Sequence, residues 1–228
     1  MSKSKKETKD EGLEIVEGAL TKGERFIEEN QKILTWVIVG IVAVVAIYLA
    51  FNRFYVKPKE EEARKQMFVA EQYFEKDSFR LAINGDGNYL GFLEIINQYG
   101  ITKSANLAEY YAGISFLKLG EFDKAIEHLK EFDCDDNMLK PEAQGAIGDA
   151  YLEMNKIDDA IDHYLKASEA ENEFLSPYFY MKAGLAYEEK GDYKKALELY
   201  ELINNDFKKS NEGRYIEKYI QRAKLKSK

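Results

Sequence analysis

The chain has 228 residues with a formal net charge of −8 and 32% charged residues, so it carries no broad basic field, and a nucleic-acid role is not expected. The single cysteine, Cys134, lies in the acidic run Asp133, Asp135, Asp136; it excludes an internal disulfide and leaves the compartment open. Three prolines, an excess of helix formers and no alternating apolar runs bounded by turn residues predict an all-α fold of one anchor and one soluble domain.

Residues Met1–Asp10 are lysine-rich and too poor in apolar side chains to fold alone, and are expected to lack fixed structure. Leu13, Val16, Leu20 and Ile27 then recur at helical spacing, and Thr21 with Glu24 has the spacing of a capping box. A short amphipathic helix on a membrane face and a helical run-in continuous with the next segment both satisfy this pattern. Residues 1–32 form a polar tail.

Ile33–Phe51 is a run of nineteen residues without a charge. As a helix at about 1.5 Å per residue it spans roughly 28 Å, close to the ~30 Å of a bilayer core. Lys32 and Arg53 close its ends, and Trp36, Tyr48, Phe51 and Tyr55 stand where amphipathic rings favour the headgroups. A buried core helix would carry a polar face over five turns. A cleaved signal would have a shorter apolar run, a shorter polar lead and a small-residue cleavage site. Residues 33–51 are therefore expected to be a single, uncleaved transmembrane helix.

The third domain is expected over residues 52–228. Pro58, followed by Glu60–Glu62, marks a helix start; that helix passes through Met67, Ala70 and Phe74 and breaks near Asp77–Ser78. Beyond it the chain repeats. Gly113, Gly148 and Gly184 are 35 and 36 residues apart, each followed three residues later by an aromatic (Phe116, Tyr151, Tyr187). Ala125, Ala160 and Ala196 keep the same register, and Leu129, Tyr164 and Tyr200 follow four residues later. A period of this length means stacked helical hairpins, small residues allowing the two helices of a unit to approach and aromatics filling gaps between units.

The segments YYAGISFLKLGEFDKAIEHLKEF, QGAIGDAYLEMNKIDDAIDHYLKA and MKAGLAYEEKGDYKKALELYELI resemble the tetratricopeptide repeat family. A degenerate earlier unit puts Ala70, Tyr73, Phe79 and Ala82 in equivalent places and carries the insertion NGDGNYLGF before Leu93. The second clear unit has Asn155 where the family has glycine between its helices. The expected units are about 58–100, 104–137, 140–172 and 176–207. A capping helix over 210–226 carries Tyr215, Ile216, Tyr219, Ile220 and Ala223 on its packed face. The expected fold is thus all-α: one N-terminal transmembrane helix, then a tetratricopeptide-repeat α-solenoid with a C-terminal capping helix.

No catalytic constellation, cofactor motif or metal set is found, and the protein is not expected to be an enzyme or to bind a small-molecule substrate. His128 and His163 occupy matched repeat positions, read as a solvated helix face without a third ligand. Asn84-Gly85-Asp86-Gly87-Asn88 lacks the spaced ligands and closing glutamate of a calcium loop and reads as a glycine-rich turn.

The family resemblance implies a concave surface made by the first helix of each unit, here Met67, Glu71 and Phe74; Tyr110, Ile114 and Leu117; Gly145, Asp149 and Leu152; and Tyr178, Met181 and Leu185. Spacing alone leaves open whether each is groove or core. Repeats that grip a C-terminal carboxylate have Asn where this chain has Glu71, Ile114, Asp149 and Leu185, so that kind of clamp is not expected. Apolar side chains and methionines suit adaptable contact with apolar peptide.

The layout of tail, anchor and four units resembles the YfgM-like family of bacterial inner-membrane proteins. That resemblance implies protein partners, namely the Sec translocon, periplasmic chaperones or unfolded clients, and a periplasmic repeat domain. The local charge count opposes this orientation, with Lys22, Arg25 and Lys32 before the anchor against Arg53, Lys57, Lys59, Arg64 and Lys65 after it. The whole tail, however, carries seven Lys and Arg, and a cytoplasmic N-terminus spares their translocation. A passive scaffold in an envelope, division or outer-membrane biogenesis complex is the alternative function.

Overall fold

The computed structural model describes residues 4–170 and 172–228, with side chains from Glu28 onward. It divides into two units, Met1–Lys57 and Pro58–Lys228.

In the first unit, α1 is continuous from Ser4 to Phe51. The tail from Ser4 on, expected to lack structure, is helical: Lys and Glu are good helix formers, and adding turns to an existing helix avoids the cost of nucleation. Of the two readings of residues 13–32, the backbone is the continuous run-in; the capping contact of Thr21 and Glu24 lies outside the described side chains. Apart from half-buried Leu34, the large apolar side chains of the Ile33–Phe51 stretch are exposed, Trp36 at 75% and Val44 at 68%. By length and composition this helix is able to cross a membrane. Asn52–Val56 is a π-helical turn in which the Lys57 N–H donates to the Asn52 carbonyl. Such a wide turn suits the residues before Pro58, which lacks an N–H for a carbonyl four residues back.

The second unit is a stack of helical pairs: α2 (Lys57–Glu75), α3 (Phe79–Asn84), α4 (Phe92–Tyr99), α5 (Lys103–Lys118), α6 (Phe122–Glu131), α7 (Leu139–Glu153), α8 (Ile157–Ser168), α9 (Leu175–Lys190), α10 (Tyr193–Asp206) and α11 (Glu217–Lys226). The pairs α5/α6, α7/α8 and α9/α10 are the three clear repeats. In the degenerate repeat that precedes them, α2 pairs with a second helix that the insertion splits into α3 and α4. Asp86 fixes the intervening turn, its Oδ1 accepting the Asn88 and Tyr89 N–H groups at 2.9 and 2.8 Å and its Oδ2 the Tyr73 hydroxyl at 2.8 Å.

Two rows of residues make each hairpin. The turn between its helices puts one residue in the left-handed region: Asp77 (φ 55), Gly120 (φ 76), Asn155 (φ 58) and Gly191 (φ 84). Asp and Asn are the residues other than glycine that adopt this conformation at least cost, so Asn155 keeps the turn. The second row is the repeat glycine, against which the facing helix packs. A Cβ on Gly113 would lie 2.5 Å from Leu129 Cγ, and one on Gly148 would lie 2.7 Å from the Tyr164 ring. On Gly184 it would strike Tyr200.

Ala70, Ala125, Ala160 and Ala196 are fully buried where helices cross. The N-terminus of α5 is closed twice. Thr102 Oγ1 accepts the Ala105 N–H at 3.1 Å, and Glu60 of α2 accepts the Ser104 hydroxyl at 2.9 Å and its N–H at 3.2 Å. At the far end α11 covers α10 with Ile220 and Ala223, and Ile216 is buried beside them. Ion pairs Arg222–Glu188 and Lys224–Glu201, both 2.9 Å, hold it. Regular helix begins later than expected, at Glu217, and Tyr215 is exposed at 45%, since it precedes the helix and does not share the face of Ile216.

Candidate functional site

The first helices of the units, α2, α5, α7 and α9, carry all the residues expected on the concave face, and their rows relative to the repeat glycine separate core from groove. The row three residues before it is buried: Met67 (3% exposed), Tyr110 (9%), Gly145 and Met181 (7%). Neighbouring elements cover it. The Phe179 ring of α9 sits on Gly145 and leaves no room for a Cβ. Tyr110 lies against Phe132, ring centres 5.3 Å apart, and donates to Glu142 Oε2 at 3.0 Å. Burial, then the Glu142 charge, pushes its hydroxyl far above the ordinary phenol range. Tyr110 and Met181, expected in the groove, are therefore core. Met67 is core on one side but borders a small cleft of about 280 Å³ with Glu71 and Leu107. Phe74 also belongs to the interior, edge-on to Phe79, Phe92 and Tyr111 at 5.6, 6.4 and 5.0 Å.

The row one residue after the repeat small residue faces outward, as do Leu117 and Leu152 four residues after it, whereas Phe74 and Glu188 in that second row are packed or paired. Glu71, Ile114, Leu117, Asp149 and Leu152 are half-buried, while Leu185 is 40% exposed. Leu117, Asp149, Leu152 and Leu185 meet in one open cleft of about 650 Å³ between α5, α7 and α9, with Tyr164 and Phe122 of the second helices at its base. Ile114 packs beside Leu117, and Tyr178, 42% exposed, flanks Lys182.

Lys182 is the residue that sequence reasoning missed. Its Nζ lies 2.6 and 2.7 Å from the two oxygens of Asp149 in the preceding unit, over the rings of Tyr164 (5.4 Å) and Tyr178 (5.1 Å). Tyr164 donates to the same carboxylate at 2.6 Å. Burial and that hydrogen bond push the Tyr164 hydroxyl far above its ordinary value. The charge of Asp149 is thus answered within the protein. The available signal was position: Lys182 stands two residues before its repeat glycine, as Tyr111 does, and Tyr111 also reaches back to the preceding unit, stacking on Phe92 at 5.4 Å.

The two histidines are matched repeat positions, but they do not lie on a solvated face. Each is half-buried beside the aromatic of its own unit, His128 stacked on Phe116 at 5.2 Å and His163 tilted on Tyr151 at 5.4 Å. Their Nδ1 atoms contact Glu109 Oε2 at 2.6 Å and Gln144 Oε1 at 2.9 Å. Burial lowers the pKa of His163, with Lys166 and Lys130 adding to the effect. Among the described residues no three His, Cys, Asp or Glu gather as metal ligands.

Models of the tetratricopeptide repeat match residues 107–132 and 146–206. No curated protein is similar enough in sequence to match. Among solved structures, the crystal structure of MamA protein is 22% identical, with a TM-score of 0.53 over 73% of this chain and 92% of that one. The nearly identical TPR-like repeats of a Podosopora anserina protein assigned as a kinesin light chain are 12% identical, with a TM-score of 0.56 over 74% of this chain and 87% of that one. At such identities the likeness speaks for the fold. The matched segments, which form most of α5 to α10, are tetratricopeptide repeats, and the second unit is a tetratricopeptide-repeat solenoid, a scaffold of the protein-interaction kind.

Proposed function

We propose that the chain is a membrane-anchored interaction scaffold that holds peptide segments of secreted or envelope proteins beside the Sec translocon, in the manner of a chaperone. The observation that carries this reading is the open cleft between α5, α7 and α9. Leu117, Leu152 and Leu185 offer aliphatic surface there, from three different units, that the fold covers only in part. An extended peptide lying across three first helices would bury it, at roughly 25 cal/mol per Å² of apolar area.

The exposed apolar stretch of α1 supports an anchor, and the YfgM-like layout supports the inner membrane and the translocon. The seven basic residues of the tail support a cytoplasmic N-terminus with the repeat domain in the periplasm. Tethering would raise the scaffold's effective concentration where proteins emerge. The burial of Tyr110 and Met181 favours a second reading, because it removes two large adaptable side chains from the groove. In that reading the protein is a passive structural scaffold of an envelope, division or outer-membrane biogenesis complex.

A photoreactive amino acid at Leu152 or Leu185 in the full chain, irradiated in intact membranes, tests both. Cross-links to many unfolded envelope proteins and to translocon subunits support the chaperone-like reading. Cross-links to one folded partner support the passive scaffold. Equal yields from a probe at Lys124, exposed on a second helix, would remove the groove from either account.

A further inference from the structure

We propose, building on the groove reading above, that the segment held there is basic and amphipathic: an extended stretch of a partner protein in which aliphatic side chains alternate with lysine or arginine. The cleft offers the aliphatic side chains of Leu117, Leu152 and Leu185 beside the rings of Phe122 and Tyr164, and the charged groups at its rim are unpaired. Five residues after the repeat small residue of each unit stand Glu75, Lys118, Glu153 and Glu189, and the last three border the cleft. Glu71 lies on the same face of the first unit. Among the described residues none of these five makes an ion pair.

Nearby acids are treated differently. Asp149 is held by Lys182, Glu142 accepts the Tyr110 hydroxyl, and Glu188 is paired with Arg222. Lys103 and Arg64 line the small cleft that Glu71 borders, and Arg64 is bound to Glu60 at 3.5 Å. Four unpaired carboxylates, Glu71, Glu75, Glu153 and Glu189, therefore stand against two unpaired ammonium groups, Lys103 and Lys118, leaving this face with an acidic excess. Burial, then the charge of Glu75, raises the carboxyl of Glu71, so these two acids already oppose each other in the free protein.

A cation arriving between them removes that repulsion, an acidic segment adds to it, and a neutral apolar segment gains the leucines alone. The geometry fits an extended chain. First helices packed about 8–10 Å apart place four units within roughly 30 Å, the length of about nine extended residues. Alternate side chains then point at the leucines, and those between lie toward the rim.

The test uses the full chain in detergent micelles and fluorescent peptides of about ten residues in which leucine alternates with lysine, glutamine or glutamate. The lysine peptide should bind roughly tenfold more tightly than the glutamine peptide, from several pairs of modest strength. The glutamate peptide should bind least. Glu71→Gln, Glu153→Gln and Glu189→Gln together should abolish the preference for lysine while leaving the glutamine peptide unchanged. Equal binding of lysine and glutamine peptides, or a preference that survives the triple change, overturns the charge assignment and leaves the groove reading standing. The same holds if Glu127→Gln with Glu131→Gln on α6 removes the preference equally well. Binding of none of the three peptides overturns both.

Discussion

Replacing Gly148 by alanine gives opposite signs under two accounts. If the glycine were ordinary helix interior, alanine would stabilise by about 1 kcal/mol through lower backbone entropy in the unfolded chain. In the structure the new methyl would lie 2.7 Å from two Tyr164 ring atoms and 3.2 Å from the Ala160 carbonyl oxygen. Ordinary carbon contacts need about 3.5–4.0 Å, so the ring must retreat by about 1 Å. Tyr164 is 1% exposed and bonded to Asp149 at 2.6 Å, so it has nowhere to go without loosening that bond. Overpacking costs about 1–3 kcal/mol and weakening a hydrogen bond to a charged group costs up to a similar amount. Overpacking of about 2 kcal/mol and the loss of roughly half the hydrogen bond, about 1 kcal/mol, less the helix gain of about 1 kcal/mol, leave a net destabilisation of about 2 kcal/mol, within a range of about 1–3 kcal/mol. For a domain of this size that lowers the melting midpoint by roughly 3–9 °C. Far-ultraviolet circular dichroism of the full chain in micelles reads it directly. An unchanged or raised midpoint refutes the contact and with it the repeat register.

Glu60→Gln should lower stability by about 1 kcal/mol, since it weakens the carboxylate cap on Ser104. Burial alone would raise the Glu60 carboxyl, but the Ser104 hydroxyl and N–H outweigh it and hold the group below 4.5. Its contribution is present above 4.5 and lost as pH falls through the lower folded value, so urea denaturation of Glu60→Gln should be less acid-sensitive in that window. For His163 the folded form disfavours the proton, so stability is retained above 6.5 and falls as pH drops from 6.5 toward the lowered folded value. An NMR titration midpoint at or above 6.5 would contradict this. With a periplasmic repeat domain, the half-buried free thiol of Cys134 should react with an impermeant maleimide in spheroplasts whose inner membrane is intact. Reaction only after rupture reverses the topology.

The hairpin stack was legible because its constraints are local and recur. A glycine beneath a facing Leu or Tyr, an alanine at each crossing and a left-handed residue between helices each restrict residue type, so a period of 35 or 36 stands out in one sequence. Asn155 hid one turn only from a search for glycine. Less legible was what depends on context. The tail joins α1 because it continues an existing helix, and the π-helical turn is marked in sequence by nothing but the proline that follows it. The split of the first unit's second helix was visible as an insertion, but the hold of Tyr73 on Asp86 was not, because it joins residues on different elements.

The groove was harder to read because core and groove positions on a first helix share one period and differ only by offset. Tyr110 and Ile114 are one turn apart, yet the first is covered by Phe132 and the second faces outward, because neighbouring elements decide which turn is covered. Charge has the same dependence. Asp149 reads from sequence as an acidic groove residue, and it is quiet only because Lys182 reaches back one unit to bind it. The chemistry of this surface is therefore a property of adjacent pairs of units. Exchanging the α9/α10 unit for another would change the charge seen at α7 without altering a residue of α7 itself.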